Sequence, residues 1–188
     1  MSKRKKKRVG PKRQANVAVT SFTATARPHD KLENNKVHVF VDDQNLFYGI
    51  INAKQDLGYR IDFGNLLRVA STDATLDRAR VVGSAYIAGV VPDDDSFWAA
   101  AETKGFVVHR GYLSAGGRSK QDDAYLITNI METIYEQEGP STIVLVAGDA
   151  DYAPPLEKCL KEGWRVELAF TSSTNNISGR LSSLVHEF

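Results

Sequence analysis

Four aspartates in this sequence are candidates for metal chemistry, because each stands where a predicted strand or loop gives way to a helix. They are Asp42, Asp123, Asp149 and Asp151. Asp42 ends the apolar run 37–41, Asp149 and Asp151 follow the run 142–147, and Asp123 follows a glycine-rich loop. In a parallel sheet the carboxyl ends of the strands lie along one edge, so these carboxylates are expected to crowd together. Clustered carboxylate oxygens are the ligands that Mg²⁺ and Mn²⁺ prefer.

An acidic site of this kind predicts chemistry on a phosphodiester. Mg²⁺ usually binds through a few carboxylates together with a substrate phosphate, and it polarises a phosphoryl oxygen while lowering the pKa of water. Taken singly, Asp149 is better explained as a helix cap, since Asp is common at helix starts. The same holds for Asp122, which directly precedes Asp123. The prediction of a metal site therefore depends on all four acids meeting at one edge.

Charge is distributed unevenly along the 188 residues. Residues 1–36 carry eleven Lys and Arg and two acids, a net charge of +9, whereas residues 37–188 carry 13 and 21, a net charge of −8. A segment this basic and polar cannot bury a core, so residues 1–36 are predicted to form a mostly disordered arm. The arm is expected to attract the phosphate backbone of nucleic acid. A solubilising tail or a targeting signal is the alternative.

Behind this arm the hydrophobic pattern alternates between strands and helices. Strands are predicted at residues 37–41, 80–88, 106–113, 142–147 and 164–170, with helices between them. The alternation is typical of an α/β fold, here a three-layer α/β/α sandwich around a parallel five-stranded sheet. Right-handed crossovers favour the strand order 3-2-1-4-5. Ligands in such sheets bind where strands 1 and 4 end, which is where Asp42 and Asp149 stand.

Other kinds of site fit the sequence less well. Asp42 and Asp43 after a strand are also typical of phosphoacceptor receiver domains, but the third strand does not end in the required Asp and no Lys follows the last strand. The glycines from 111 to 117 are not followed by Lys-Ser/Thr in P-loop register. The four histidines are scattered, and the single cysteine, Cys159, excludes an intrachain disulfide and is predicted to be buried.

Three segments, in this order, resemble the motifs of the NYN domain, which belongs to the PIN-like nuclease superfamily. They are residues 39–46, 120–126 and 144–156. The resemblance extends over about residues 37–188, and the Gly-Asp-x-Asp-aromatic turn at 148–152 is a specific part of it. It implies a PIN-like sandwich and a ribonuclease that uses Mg²⁺ or Mn²⁺ to hydrolyse RNA phosphodiester bonds. The alternative is an RNA-binding or assembly module that keeps the fold but turns over poorly.

The same resemblance implies roles for individual residues. Asp42, Asp123, Asp149 and Asp151 are expected to hold the metal and carry catalysis, and Asn45 and Lys120 to contact the substrate. Asn129 stands where some relatives have a further acid, which puts a second metal site in doubt. Tyr48, Tyr112 and Tyr152 are candidates for stacking on bases, with ordinary packing as the alternative.

Cellular context is predicted from what the chain contains. No apolar run approaches the roughly 20 residues that span a bilayer, and the basic start is not followed by the apolar segment of a secretory signal. A cytoplasmic location is therefore expected, or a nuclear one in a eukaryote. RNA is the expected partner and membranes are not. The oligomeric state is left open, a homo-oligomer included.

Overall fold

A central sheet runs through the protein in a computed structural model, which describes residues 19–24, 36–54, 61–73, 77–90, 95–113, 119–171 and 177–187. The strands are β1 (Val19–Ala24), β2 (Lys36–Asp42), β3 (Thr72–Asp73), β4 (Arg78–Ala79), β5 (Val81–Val90), β6 (Val107–Leu113), β7 (Ser119–Lys120), β8 (Thr142–Val146) and β9 (Arg165–Thr171). The helices are α1 (Asp43–Lys54), α2 (Phe63–Ser71), α3 (Ser96–Thr103), α4 (Asp122–Glu136), α5 (Ala153–Lys161) and α6 (Gly179–Glu187), and a 3₁₀ turn covers Ala150–Tyr152.

The order of the parallel strands confirms the prediction. The five predicted strands are β2, β5, β6, β8 and β9, and they lie in the order β9-β8-β2-β5-β6 with every neighbouring pair parallel. When these five strands are numbered 1 to 5 along the chain, their order is 5-4-1-2-3, which is the predicted order 3-2-1-4-5 listed from the other edge of the sheet. Two antiparallel strands extend the sheet to seven, with β1 beside β9 and β7 beside β6. The carboxyl ends of β2 and β8 are therefore adjacent.

Helices cover both faces of the sheet, as the predicted three-layer sandwich requires. Successive residues of β2 point to opposite faces, so one strand supplies both cores. On one face, residues of α4, α5 and α6 pack against strand residues, and this core includes Phe40, Leu126, Ile130, Leu156, Leu168 and Leu181. On the other face, residues of α1, α2 and α3 pack against strand residues, and this core includes Val39, Val41, Leu46, Ile50, Phe63 and Trp98. With both faces buried, the polar ends of the strands are the part of the sheet open to a ligand.

Strand β1 differs from the sequence prediction. Residues 1–36 are predicted to lack regular structure, but Val19–Ala24 pairs along its whole length with β9, from Val19 opposite Thr171 to Ala24 opposite Val166. The reason is non-local: the outer edge of β9 offers N–H and C=O groups that a polar segment can bind through its backbone alone. The rest of the predicted arm, residues 1–18 and 25–35, lies outside the described residues.

Local signals in the sequence match the elements that they predict. The side chain of Asp62 accepts a hydrogen bond from the Asn65 amide at 3.0 Å and so caps α2. Cys159 is fully buried in α5, as predicted. Within the part of the chain that the structure describes, no helix combines the length and apolar character needed to cross a membrane.

Candidate active site

Three chain segments meet at the carboxyl edge of the sheet. The last residue of β2 is Asp42, and α1 starts directly after it. The last residue of β8 is Val146, and the turn that follows carries Asp149 and Asp151. The third segment is the first turn of α4, which carries Asp123. These are the segments that the sequence predicted to meet.

Asp42 is buried, with only 4% of its surface exposed. Its Oδ1 accepts a hydrogen bond from the Asn45 amide at 2.9 Å, so the side chain caps α1. Its Oδ2 lies 3.2 Å from the hydroxyl of Tyr152. Burial, together with the charges of Asp123 and Asp122, raises the pKa of Asp42 to about 7 from the ordinary 3.8, against the effect of these two hydrogen bonds. The charged groups that act on this carboxyl are thus themselves acids.

Tyr152 joins Asp42 to Asp123. Its ring is fully buried in the core under α4, and its hydroxyl also lies 3.1 Å from Oδ1 of Asp123. Burial and the charges of both acids raise the pKa of Tyr152, so the phenol keeps its proton. The aromatic residue that closes the Gly-Asp-x-Asp motif therefore holds two carboxyl groups side by side. A base-stacking role for Tyr152 is wrong, because its ring has no accessible face.

The shared hydroxyl has a consequence for protonation. A phenol carries one hydrogen, so it donates to one carboxylate at a time, and the second carboxyl makes a favourable contact only when it holds a proton. The raised pKa values are consistent with a retained proton. Burial, and then the charges of Asp122, Asp149 and Asp151, raise the pKa of Asp123, and the pKa of Asp42 is raised as well. Without a cation, this carboxyl pair therefore tends to retain a proton near neutral pH.

Asp149 and Asp151 lie on the exposed side of the same pair. Oδ1 of Asp149 accepts a hydrogen bond from the Asp151 amide at 3.1 Å and caps the 3₁₀ turn, as expected for this residue taken singly. The charges of both acids act on Asp123. Nevertheless, no three His, Cys, Asp or Glu side chains of the described ranges lie close enough together to enclose a metal ion. The structure thus brings together two carboxyls that share one hydroxyl and two more acids whose charges act on Asp123.

Asn45 connects two of the acidic segments. Its side-chain carbonyl oxygen accepts a hydrogen bond from the Gly148 amide at 2.9 Å, across 103 positions of sequence. Its own backbone amide donates to Asp42. The residue therefore fixes the start of α1 to the turn after β8. The contact with the turn after β8 was not predicted from the sequence, in which Asn45 was expected to hold a substrate phosphate or a carboxylate.

Lys120 lies on the chain segment that enters α4. It pairs with Tyr112 in the short strand β7, while its side chain lies outside the described part of the structure. The next residue, Gln121, has a φ of 74°, in the left-handed region that residues other than glycine rarely adopt. Strain of this kind costs on the order of 1 kcal/mol or more and often accompanies functional sites. Here it turns the chain so that Asp122 and Asp123 begin the helix.

Two more acids lie beside the site, one buried and one half-buried. Asp122 has 4% of its surface exposed, and its charge acts on both Asp42 and Asp123. Burial raises the pKa of Asp43, the first residue of α1, to about 7. Asp43 packs against Gly89, where an added Cβ would lie 2.8 Å from both the Asp43 Cβ and Trp98. The carboxyl edge therefore carries Asp43 and Asp122 in addition to the four aspartates predicted from the sequence.

A comparison of the sequence with the profiles of known protein families identifies the family of this protein. The profile of the NYN domain matches residues 36–188, which is most of the chain. This protein belongs to the NYN domain family. The NYN domain is part of the PIN-like nuclease superfamily, whose members bind nucleic acid and typically use divalent metals. The match confirms the resemblance drawn from the three motifs.

A solved structure shows the same fold as this NYN domain. A crystal structure of a protein of unknown function from Vibrio parahaemolyticus is 20% identical in sequence and superposes with a TM-score of 0.56. The match covers 72% of this chain and 81% of the other. A comparison with curated proteins found no significant match. At this identity the similarity establishes the α/β fold and leaves the chemistry to the site itself.

The chemistry of the NYN acid cluster fits a divalent cation. Asp42 and Asp123 present oxygens to one hydroxyl, and burial together with the neighbouring acids raises the pKa values of both carboxyls. Mg²⁺ needs only one or two carboxylates when waters and substrate phosphate complete its shell. Asp149 and Asp151 are exposed and their charges act on Asp123, although among the described residues no three acids lie close enough together to enclose an ion. All of these ligands are oxygens, as hard cations require.

Proposed function

We propose that this NYN domain is a ribonuclease that uses Mg²⁺ or Mn²⁺ to hydrolyse RNA phosphodiester bonds. The observation that carries the proposal is the sharing of one hydroxyl by Asp42 and Asp123, beside the charges of Asp149 and Asp151. Buried acids that hold each other partly protonated are costly for folding, and a cation removes that cost. Membership of a nuclease superfamily supports the same function.

Each residue of the site has a part in this proposal. Asp42, Asp123, Asp149 and Asp151 would hold the cation, and Asp151, on the exposed side of the cluster, would also orient the attacking water. A bound divalent cation lowers the pKa of water and stabilises charge on the phosphoryl oxygens. Tyr152 keeps Asp42 and Asp123 together, and the proton they retain leaves when the cation binds. Asn45 and Lys120 are proposed to contact the phosphate.

The basic arm supports an RNA substrate for a geometric reason. Strand β9 is parallel to β2 and β8, so its last residue, Thr171, lies at the same edge as Asp42. Val19, the first residue of β1, pairs with Thr171. The preceding segment, residues 1–18, contains eight Lys and Arg and no acid, and it joins the fold at that edge. We propose that it holds the RNA backbone while the acidic site acts.

The experiment is RNA cleavage by the purified full-length protein with Mg²⁺, with Mn²⁺ and with EDTA. Cleavage in either metal and none in EDTA is expected. Asp42→Asn and Asp149→Asn should abolish cleavage while the circular dichroism spectrum stays unchanged. Glu162→Gln is the matched control, because it removes an acid at the far end of α5. Equal cleavage by both site variants and wild type would place the active site elsewhere.

The second candidate is an RNA-binding or assembly module with little turnover. The observation that favours it is the spacing of the acids, since the described residues present no trio at metal-binding distance. In that case the protein binds RNA but leaves it intact with either metal. The same assay, with binding measured by fluorescence anisotropy, separates the two functions.

A further inference from the structure

Four aromatic rings form a row from the core to the surface beside the acidic site. Phe40 and Tyr86 stack at 5.3 Å between centroids, Tyr86 and His109 at 6.0 Å, and His109 and Tyr125 at 4.9 Å. The angles between successive ring planes are 15°, 14° and 7°. The rings come from β2, β5, β6 and α4, so the row crosses three strands and reaches the helix that carries Asp123.

The row begins in the core and ends in solvent. Phe40 is fully buried, whereas 39% of Tyr125 is exposed although His109 covers one face of its ring. Ala124 and Thr128, which flank Tyr125 on α4, are exposed as well, and both side chains are small. The row therefore ends in a ring whose exposed part is open to a planar ligand.

Tyr125 is also close to the proposed catalytic acids. The ring on which it stacks, His109, is level with Asp42 across the sheet, because Ala88 of β5 pairs with both residues and two strand spacings are about 10 Å. Because its neighbour His109 is held between two tyrosines, the orientation of the Tyr125 ring is set before any ligand arrives. A fixed, exposed ring binds a planar partner with little loss of side-chain entropy.

We propose that Tyr125 stacks on a base of single-stranded RNA whose backbone lies at the acidic site, with His109 as the residue that positions the ring. This inference rests on the proposed function and specifies its substrate as unpaired RNA. A base is the partner of choice because it is planar and is attached to the phosphate that the acids require nearby. Stacking on tyrosine accepts every base, so contact at this ring contributes affinity with little sequence preference.

Binding of a short single-stranded RNA, measured by fluorescence anisotropy in EDTA, tests the proposal. Tyr125→Leu keeps apolar bulk against His109 but has no ring, and Tyr125→Phe keeps the ring. We expect Tyr125→Leu to bind about 5- to 150-fold more weakly and Tyr125→Phe to bind as wild type does. Tyr135→Leu is the matched control, because Tyr135 is 62% exposed on the same helix, about 15 Å farther along it.

A second measurement locates the base. One abasic nucleotide is moved through the RNA, and the affinity is measured at each position. At one position the abasic RNA should bind wild type more weakly, while Tyr125→Leu should bind it as tightly as intact RNA. His109→Leu should weaken binding less than Tyr125→Leu and should reduce the same positional effect without abolishing it.

The outcomes are distinct. If wild type binds and cleaves RNA but Tyr125→Leu binds every RNA equally well, the stacking proposal is overturned while the ribonuclease stands. If wild type neither binds nor cleaves RNA, both proposals fall. Loss of affinity in Tyr135→Leu equal to that in Tyr125→Leu would also overturn the specific role of Tyr125.

Discussion

The hydroxyl oxygen of Tyr152 lies 3.2 Å from Oδ2 of Asp42, although 110 positions separate the two residues in the chain. The same hydroxyl contacts Asp123, so a single phenol assembles the acidic pair of the NYN domain. This contact decides how the pair titrates and how it would receive a cation.

Tyr152→Phe should shift the titration of the acidic pair upward. The hydrogen bond from Tyr152 lowers the pKa of whichever carboxylate accepts it, so its removal raises the pH at which the pair becomes fully anionic. Cleavage in Mg²⁺ needs the anionic carboxylates, so the acid limb of the pH–rate profile should move to higher pH. Profiles of wild type, Tyr152→Phe and the exposed control Tyr135→Phe provide the measurement. Superimposable acid limbs for all three would contradict the bridging role.

Asp42→Asn should make the metal-free protein more stable at neutral pH. An acid whose folded pKa is raised, here to about 7, holds its proton more tightly when folded, so stability falls as pH rises from about 4 to about 7. Asparagine removes this dependence, so in EDTA at pH 8 the variant should gain on the order of 2 to 4 kcal/mol. Urea unfolding at pH 8 and at pH 4 checks the value, and the difference should shrink at pH 4. A variant less stable than wild type at pH 8 contradicts this account.

Asn45→Ala should loosen the connection between the acidic segments. The change leaves the buried Gly148 amide without its acceptor, which costs about 1 to 3 kcal/mol. Asn65→Ala is the control, since the Asn65 side-chain oxygen accepts hydrogen bonds from the exposed Arg68. Chemical denaturation gives the free energies of unfolding. Equal losses in the two variants would mean that Asn45 does not hold the turn after β8.

His38 should make the protein sensitive to acid. The residue is buried, with its Nδ1 2.8 Å from Oγ of Ser84, and burial lowers its pKa to about 4, with a smaller contribution from Lys36. The unfolded chain therefore binds a proton between pH 6.5 and 4 that the folded chain does not, and about 3 kcal/mol is lost on acidification.

His38→Gln should lack this part of the pH dependence. The acids of the site are common to both proteins, so their effect cancels when the free energies of unfolding are subtracted at each pH. Wild type should lose stability faster than the variant between pH 6.5 and 4. Parallel curves would show that His38 is charged or free in the folded protein.

Removal of residues 1–18 should weaken RNA binding without unfolding the domain. The cut leaves β1 in place and removes eight Lys and Arg. The slope of log K against log salt concentration should become shallower by about 0.7 for each phosphate of a single strand that the arm no longer neutralises. Replacing the eight by glutamine keeps the length and should give the same slope. If both variants have the same salt slope as the full-length wild type, the arm is excluded as an RNA-binding element.

Much of the fold was predictable because its signals are local or topological. Alternating strands and helices leave few arrangements of a parallel sheet, and that logic placed Asp42 beside the turn that carries Asp149. The bridging role of Tyr152 could not be predicted, because the motif identifies an aromatic residue but not the atoms that its hydroxyl contacts. The Asn45 contact with Gly148 was missed for the same reason. Strand β1 was missed because its partner β9 is almost 150 residues away and the composition of the segment indicates disorder.

Strand β1 takes the place of β9 at the rim of the sheet. It covers the side of β9 that would otherwise present unpaired backbone groups to another molecule. A shortened version that starts at Lys36, where the NYN match begins, would keep every acid of the site but expose a bare strand at the rim of the sheet. Such a fragment should aggregate or exchange strands with its copies, so a soluble catalytic fragment should begin no later than Val19.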